Sequence, residues 1–388
     1  MDKLKSNILM VMVPDRLSEL LTKGEIVDRY YNPGEVFDEV HIVMFNDDKP
    51  DPALVQRTVG SARLVLHNVA AGKALFLKSL CWRPFLLRPW ARQVVELARR
   101  IGPALIRCHG AHLNTYAAAA VKRTLGIPYL VSMHINPDED MRKRAAGSMQ
   151  KLIAHAQKGI EQIGLLNADL VMPVYRPIVP YLERVGVKDY QVCYNVLNPN
   201  HLGEKADYTL HNPIRIISVG RQFREKNPIN LIHAVGRIPG VHLTLVGDGT
   251  YHEYLKNAVA EAGLDDRVRF HAAISNDQLC RLLPEHDLFA VHSEYWEISK
   301  SVLEPLLCGL PLVINRRIGL PVPELTGDIC MLVENTVDGY QKAIEELITH
   351  DDKREALGRR AFAWALANWS PKATEARFAA IYRQYALR

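Results

Sequence analysis

Residues 214–249 read IRIISVGRQFREKNPINLIHAVGRIPGVHLTLVGDG. A β-branched run from Ile214 to Val219 stops at Gly220, and a charged stretch then leads to an amphipathic segment from Ile229 to Arg237. A second apolar run, His242 to Val246, ends at Gly247-Asp248-Gly249. Strand, helix and strand with turn residues at each strand's end is the pattern of βα units around a parallel sheet buried on both faces.

Outward from this stretch the pattern runs twice. The first series of strand candidates is Ile8 to Val13, Glu39 to Phe45, Ala104 to Cys108, Tyr129 to Met133, Leu170 to Pro173 and Gln191 to Tyr194. The second continues from residue 214 through Val268 to His271, Leu288 to Val291, Leu312 to Ile314 and Cys330 to Val333. Between them, Asn195 to Pro213 is polar and turn-forming, as a linker would be. A chain of 388 residues exceeds what one core usually serves. The expected fold class is therefore α/β: two Rossmann-like, doubly wound domains facing a central cleft, residues 1–205 and 206–372.

Composition narrows the function. A net charge of +5 at this length is too mild to indicate nucleic acid. The six cysteines form no Cys-x-x-Cys pair, so neither zinc nor a disulfide framework is indicated, and a reducing cytoplasm is expected. No apolar run approaches the roughly 18 to 20 residues of a membrane-spanning helix.

Two stretches of the second half carry chemistry. In Gly220-Arg221-Gln222-Phe223-Arg224-Glu225-Lys226, backbone amides and cations could converge on a phosphate, or the loop could simply be charged and solvated. Asp248 sits between two glycines at a strand's end, a tight turn where backbone can approach a ligand. The strongest signal is residues 292–313, HSEYWEISKSVLEPLLCGLPLV. Pro305 is expected in a helix's first turn. A helix start near Ser299 to Val302, with Lys300 beside it, would face its positive end to an anion. Glu304, in that first turn, would then accept two hydroxyls of a diol. Ser301-x-x-Glu304 is also a capping-box spacing, so a plain helix cap is the other reading.

The ordered series VGRxxxxK, LVGDGT, VRFHAAIS, LLPEHDLFAVHS, EPLLCGLPLV, VPELTG and ANWSPKATEARFAAIY resembles the retaining glycosyltransferases of family 4, the group 1 glycosyltransferases of GT-B fold. The resemblance implies a nucleotide diphosphate sugar as co-substrate, with no metal and no other cofactor. Arg221 and Lys226 would bind the diphosphate, Glu304 the ribose hydroxyls, and backbone near Ala273 and Ile274 the base. It also implies that a C-terminal helix at about 373–388 packs back on the first domain. The family's first glutamate falls eight positions before Glu304, where this chain has Trp296. Glu297 is the candidate for that role, on the donor-sugar hydroxyls.

In the first half His134 matches the histidine that reaches the donor sugar near its anomeric carbon, and His109 at the preceding strand's end is the second candidate. Asp138, Glu139 and Asp140 read as a solvated acidic loop rather than a metal site. Pro14-Asp15-Arg16-Leu17-Ser18 replaces the family's glycine-rich acceptor loop. Leu75 to Arg100 interleaves Lys78, Arg83, Arg88, Arg92, Arg99 and Arg100 with Phe76, Trp82, Phe85 and Trp90. That mixture suits an anionic membrane surface and a lipid-linked acceptor, or an ordinary helix packed on its domain. The expected activity is sugar transfer to a saccharide or lipid-linked acceptor in cell-surface polysaccharide or glycolipid biosynthesis, in the cytoplasm or on the inner face of the membrane. A sugar-nucleotide epimerase of the same architecture and a non-catalytic nucleotide-sugar binding protein are the alternatives.

Overall fold

The computed structural model describes residues 6–387 except 24, 72–74, 76–83, 139–146, 196–201 and 320. The chain divides into two compact units, Met1–Val196 with Thr374–Arg388, and Leu197–Ala373. Each is built on a six-stranded parallel sheet.

In the first unit the strands are β1 (Ile8–Val13), β2 (Glu39–Met44), β3 (Arg63–Asn68), β4 (Leu105–His109), β5 (Tyr129–Met133) and β6 (Leu170–Pro173), in the order β3-β2-β1-β4-β5-β6. In the second they are β7 (Ile214–Val219), β8 (Val241–Val246), β9 (Val268–His271), β10 (Leu288–Val291), β11 (Leu312–Asn315) and β12 (Met331–Val333), in the order β12-β11-β10-β7-β8-β9. Both are the doubly wound order, whose reversal lies at β1/β4 in one unit and at β7/β10 in the other. Ligands of such sheets bind outside the strands' carboxyl ends at that reversal.

One strand differs from the sequence expectation in each direction. Arg63–Asn68, with Arg63, His67 and Asn68 among its six residues, is an edge strand whose polar content hid it. Gln191 to Tyr194 runs beside β6, with Gln191 N donating to Val171 O (3.0 Å) and Cys193 N to Pro173 O (2.9 Å). The one isolated bridge there, Val171↔Tyr190, falls just before this segment, and no ladder forms among the described residues.

The final helix, Pro371–Ala386, returns the chain to the first unit. There Phe378, Ile381, Tyr382 and Tyr385 join the core with Leu9, Val11 and Val40. Arg107, on β4, is buried beneath it: Nη1 donates to Tyr382 Oη (2.6 Å) and the guanidinium lies 4.6 Å from the Phe378 ring centroid. A buried cation costs free energy unless its donors are satisfied, and here Tyr30 O accepts a second bond from Nη1 and Ser132 Oγ one from Nε. Arg29 pairs with Glu375 (2.6 Å), tying the same helix at its other end.

Candidate functional site

The carboxyl ends of β7 and β10 meet at the reversal of the second sheet, so the loops that follow them form one rim. Gly220 N still donates to Val246 O (2.9 Å), after which the chain leaves the sheet through Arg221, exposed, and the 3-10 turn Arg224–Lys226. Asn227 Oδ1 then accepts Ile229 N (3.0 Å) at the start of the helix Ile229–Arg237.

The loop after β8 packs directly on this one. A Cβ at Gly247, where φ is +135°, would lie 2.0 Å from Gly220 O, and one at Gly249 would lie 2.2 Å from Gln222 O. Gln222 N donates to Asp248 O (2.9 Å) and Tyr251 N to Gln222 O (2.8 Å), locking the two backbones together. The glycines that the sequence attributes to a ligand's approach thus admit the neighbouring loop. Asp248 stays exposed, its carboxylate accepting Gly249 N (2.6 Å) within its own turn.

Beneath Lys226 a cavity of about 10 Å³ is lined by Ser218, Gly220, Gln222, Lys226 and His292. His292 caps β10. Burial first, and the charge of Arg317 second, push its imidazole down to about 4, so it is neutral at pH 7. The loop it opens is held at several points. Ser293 N donates to Asn315 Oδ1 and Asn315 Nδ2 to Ser293 O, both 2.9 Å, and Glu294 N donates to Glu225 O (2.8 Å). Arg317 Nε donates to Tyr295 O (2.7 Å). This loop carries Glu297 to an ion pair with Lys226, whose ammonium also lies 5.6 Å from the Tyr295 ring centroid.

The helix Lys300–Leu307 corrects the expectation for Glu304. Ser299 is the N-cap in extended conformation without a side-chain cap, its hydroxyl 2.8 Å from that of Ser301, and Lys300 is the first helical residue. Glu304 is therefore fifth, beyond the first turn, and Ser301 is inside the helix, so no capping box forms. Pro305 sits in the second turn. The amide it lacks would have served only the carbonyl of Ser301, at the very start of an eight-residue helix.

Glu304 is 2% exposed, and its Oε1 accepts from Asn276 Nδ2 (2.8 Å). Burial pushes its carboxyl up to about 7, against the opposing pull of Asn276 and of Lys300. Asn276 begins the helix Asn276–Leu282, which Ser275 and Gln278 close with a capping box. Ala273, exposed, and Ile274, half-buried, form the turn just before it. The residues assigned to base and ribose are thus held together through Asn276. Asn276, Asn315, Arg317 and the neutrality of His292 were not read from the sequence. Their one legible sign is position, since all lie at or beyond the carboxyl ends of parallel strands.

In the first unit His109, buried, ends β4, and His134 follows β5. Their rings stack at 5.5 Å and 12°, and Tyr31 meets His109 edge-on at 4.9 Å. Tyr175 Oη donates to His134 O (3.0 Å). A separate pocket of about 180 Å³ is lined mainly by Pro14, Phe45, Leu113, Ile160 and Gln157, whose Oε1 is buried without a hydrogen-bond partner. Asp138 pairs with Arg184, while Glu139 and Asp140 lie outside the described residues. Among the described residues no group of three His, Cys, Asp or Glu is arranged to hold a metal ion.

On the helix Arg88–Ile101, Trp90 is buried against Phe45 (5.5 Å) and donates to Ala70 O (3.2 Å). This aromatic is therefore a core residue and not a surface anchor. Arg88, Arg92, Arg99 and Arg100 are exposed, and Phe85 is 50% exposed. Phe76, Lys78, Trp82 and Arg83 lie outside the described residues. No described helix is long and apolar enough to cross a membrane.

Over residues 204–364 the sequence matches the family described as Glycosyl transferases group 1, and over 38–201 the one described as Glycosyltransferase Family 4. The lipopolysaccharide core biosynthesis glycosyltransferase LpsE of Rhizobium meliloti is 29% identical over 170 residues, 44% of this chain and 49% of that protein. A GDP-mannose-dependent alpha-(1-6)-phosphatidylinositol monomannoside mannosyltransferase of Mycolicibacterium smegmatis is 28% identical over 176 residues, 42% and 46% of the two chains. The chain thus spans about half the length of these curated relatives. Among solved structures, Anabaena HepE in complex with UDP gives a TM-score of 0.74 at 17% identity, covering 97% of this chain and 99% of that one. Sucrose-phosphate synthase from Thermosynechococcus elongatus gives 0.72 at 17%, covering 97% and 98%. These two are likenesses of fold. With both halves matched and two Rossmann-like sheets in place, the chain belongs to the group 1 glycosyltransferases and has the GT-B fold.

Proposed function

We infer that the chain is a retaining, hexosyl-type glycosyltransferase that moves a sugar from a nucleotide diphosphate sugar to a hydroxyl of a saccharide or lipid-linked acceptor. The observation that carries this reading is the buried carboxyl of Glu304, oriented by Asn276 on the same sheet's rim as Lys226. Burying a carboxylate is costly unless it is hydrogen-bonded, and a vicinal diol offers the two donors that one carboxylate accepts. The names of relatives in lipopolysaccharide and phosphatidylinositol mannoside synthesis, and of HepE with UDP-glucose, support the substrate class.

In this reading Arg221, Lys226 and the amides at Ser299, Lys300 and Ser301 stabilise the departing diphosphate. Glu304 binds the ribose, Ala273 and Ile274 the base, and Glu297 the sugar hydroxyls. Gly220 lets backbone approach the phosphates, and Asp248 borders the donor. His134, with His109 behind it, serves the reacting sugar. The reaction needs no metal and no cofactor beyond the nucleotide sugar. The acceptor hydroxyl attacks from the face that the diphosphate leaves.

Calorimetric titration with a set of nucleotide diphosphate hexoses tests the donor site. At least one is expected to bind, and Glu304→Ala and Lys226→Met are each expected to weaken it about tenfold or more. Equal affinity in all three proteins would overturn the assignment. The cytoplasmic, peripheral placement rests on the exposed Arg88 and Arg92 with Phe85. Replacing both arginines by glutamate is expected to abolish sedimentation with anionic vesicles, and unchanged sedimentation sinks that part.

A further inference from the structure

One carboxylate of the second unit is paired with one cation and acts through its charge on a second. Glu297 is paired with Lys226, the cation assigned above to the donor diphosphate. Arg317, in the loop after β11, is hydrogen-bonded to the Glu297-bearing loop. Its Nε donates to Tyr295 O (2.7 Å) and its Nη1 to Asn315 O (2.6 Å). Its Nη2 is buried and has no hydrogen-bond partner among the described residues. The charge of Glu297 acts on this guanidinium, partly offsetting the effect of burial. A buried guanidinium donor without an acceptor is costly, so its retention within the electrostatic reach of a carboxylate calls for an explanation.

Charge counting supplies one. While Glu297 occupies Lys226, the pair is neutral and offers a diphosphate no net attraction. A phosphate that claims the ammonium leaves Glu297 with an unpaired, half-buried charge, unless another donor is at hand. Arg317 has the spare donor, on the same loop system.

We propose that Glu297 holds Lys226 in the donor-free protein and passes to Arg317 Nη2 when a diphosphate takes the lysine, making Arg317 the positioning residue that sets Glu297 for the donor sugar. This rests on the donor site proposed above. It goes beyond that site by giving Glu297 two partners and by assigning a role to a residue outside the donor's own contacts.

The test is a double-mutant cycle read by binding of inorganic diphosphate, a probe independent of base and sugar. Arg317→Met is expected to bind it about tenfold more weakly than the wild type, because Glu297 then has nowhere to go. Adding Glu297→Gln, which removes the charge to be received and frees Lys226, is expected to restore diphosphate affinity to at least the wild-type level while leaving sugar transfer lost. If the double variant binds as weakly as Arg317→Met, the arginine is only a structural anchor and the exchange is refuted. Wild-type affinity in Arg317→Met refutes it as well. Should Arg317→Met not fold, Arg317→Lys, which keeps the charge and loses the Nη2 donor, enters the same cycle with the same two outcomes. A wild-type protein that does not bind diphosphate, or a Lys226→Met variant that binds it unchanged, overturns the donor site itself and the exchange with it.

Discussion

A carboxyl group sealed from water is a stability statement as well as a binding one. Glu304 is held at about 7 in the folded chain, above its ordinary value of 4.5, chiefly by burial. The native state therefore holds this proton more tightly than the unfolded chain does. The stabilisation is fully present below about pH 4.5 and is lost as pH rises through about 7. Glu304→Gln does not titrate and keeps the shape of the group. It is expected to match the wild type near pH 4 and to exceed its unfolding free energy by roughly 2–4 kcal/mol at pH 8, while losing donor affinity. Denaturant unfolding of both proteins at the two pH values checks this, and a difference independent of pH would contradict it. Glu304 itself was legible in the sequence, through its motif. Its environment was not, because Asn276 is 28 residues away and burial belongs to the packed unit. Glu297 shows the same division. Its spacing left its role open, and its partner Lys226, 71 positions earlier, is visible only once β7 and β10 lie side by side.

At the level of elements, the loops after β7 and β8 act as one layer, because two glycines let their backbones touch. Gly247 needs both a positive φ and an empty Cβ position, since a Cβ would come within 2.0 Å of Gly220 O. Gly240 also has a positive φ, +73°, but nothing lies within 4 Å of its Cβ position. Gly240→Ala should therefore cost about 1 kcal/mol for backbone conformation alone. Gly247→Ala should cost roughly 3 kcal/mol or more and displace the Gly220 loop, with loss of diphosphate binding. Comparable unfolding midpoints for the two variants would refute the stacking account. Propensity reasoning erred most where tertiary contacts dominate: Pro305 was expected in a first turn and stands in a second, and the polar edge strand β3 was missed. The buried strands, continuous β-branched runs, were legible within a residue or two.

For the whole molecule, the βα alternation announced two doubly wound sheets, and both have the same strand order. The order itself was not readable, because it depends on which strands pair across the sheet and not on any local pattern. It matters to function because it decides which loops adjoin: in the second unit those after β7 and β10, which carry Lys226 and Glu297. The final helix shows the same dependence on long-range contact, since its tyrosine Tyr382 meets Arg107 across 275 positions. The central claim, transfer of a sugar from a nucleotide donor with retention, is tested most directly by NMR of the anomeric proton in the first product formed from donor and acceptor. The account predicts the same anomeric configuration in product as in donor. An inverted linkage would contradict it.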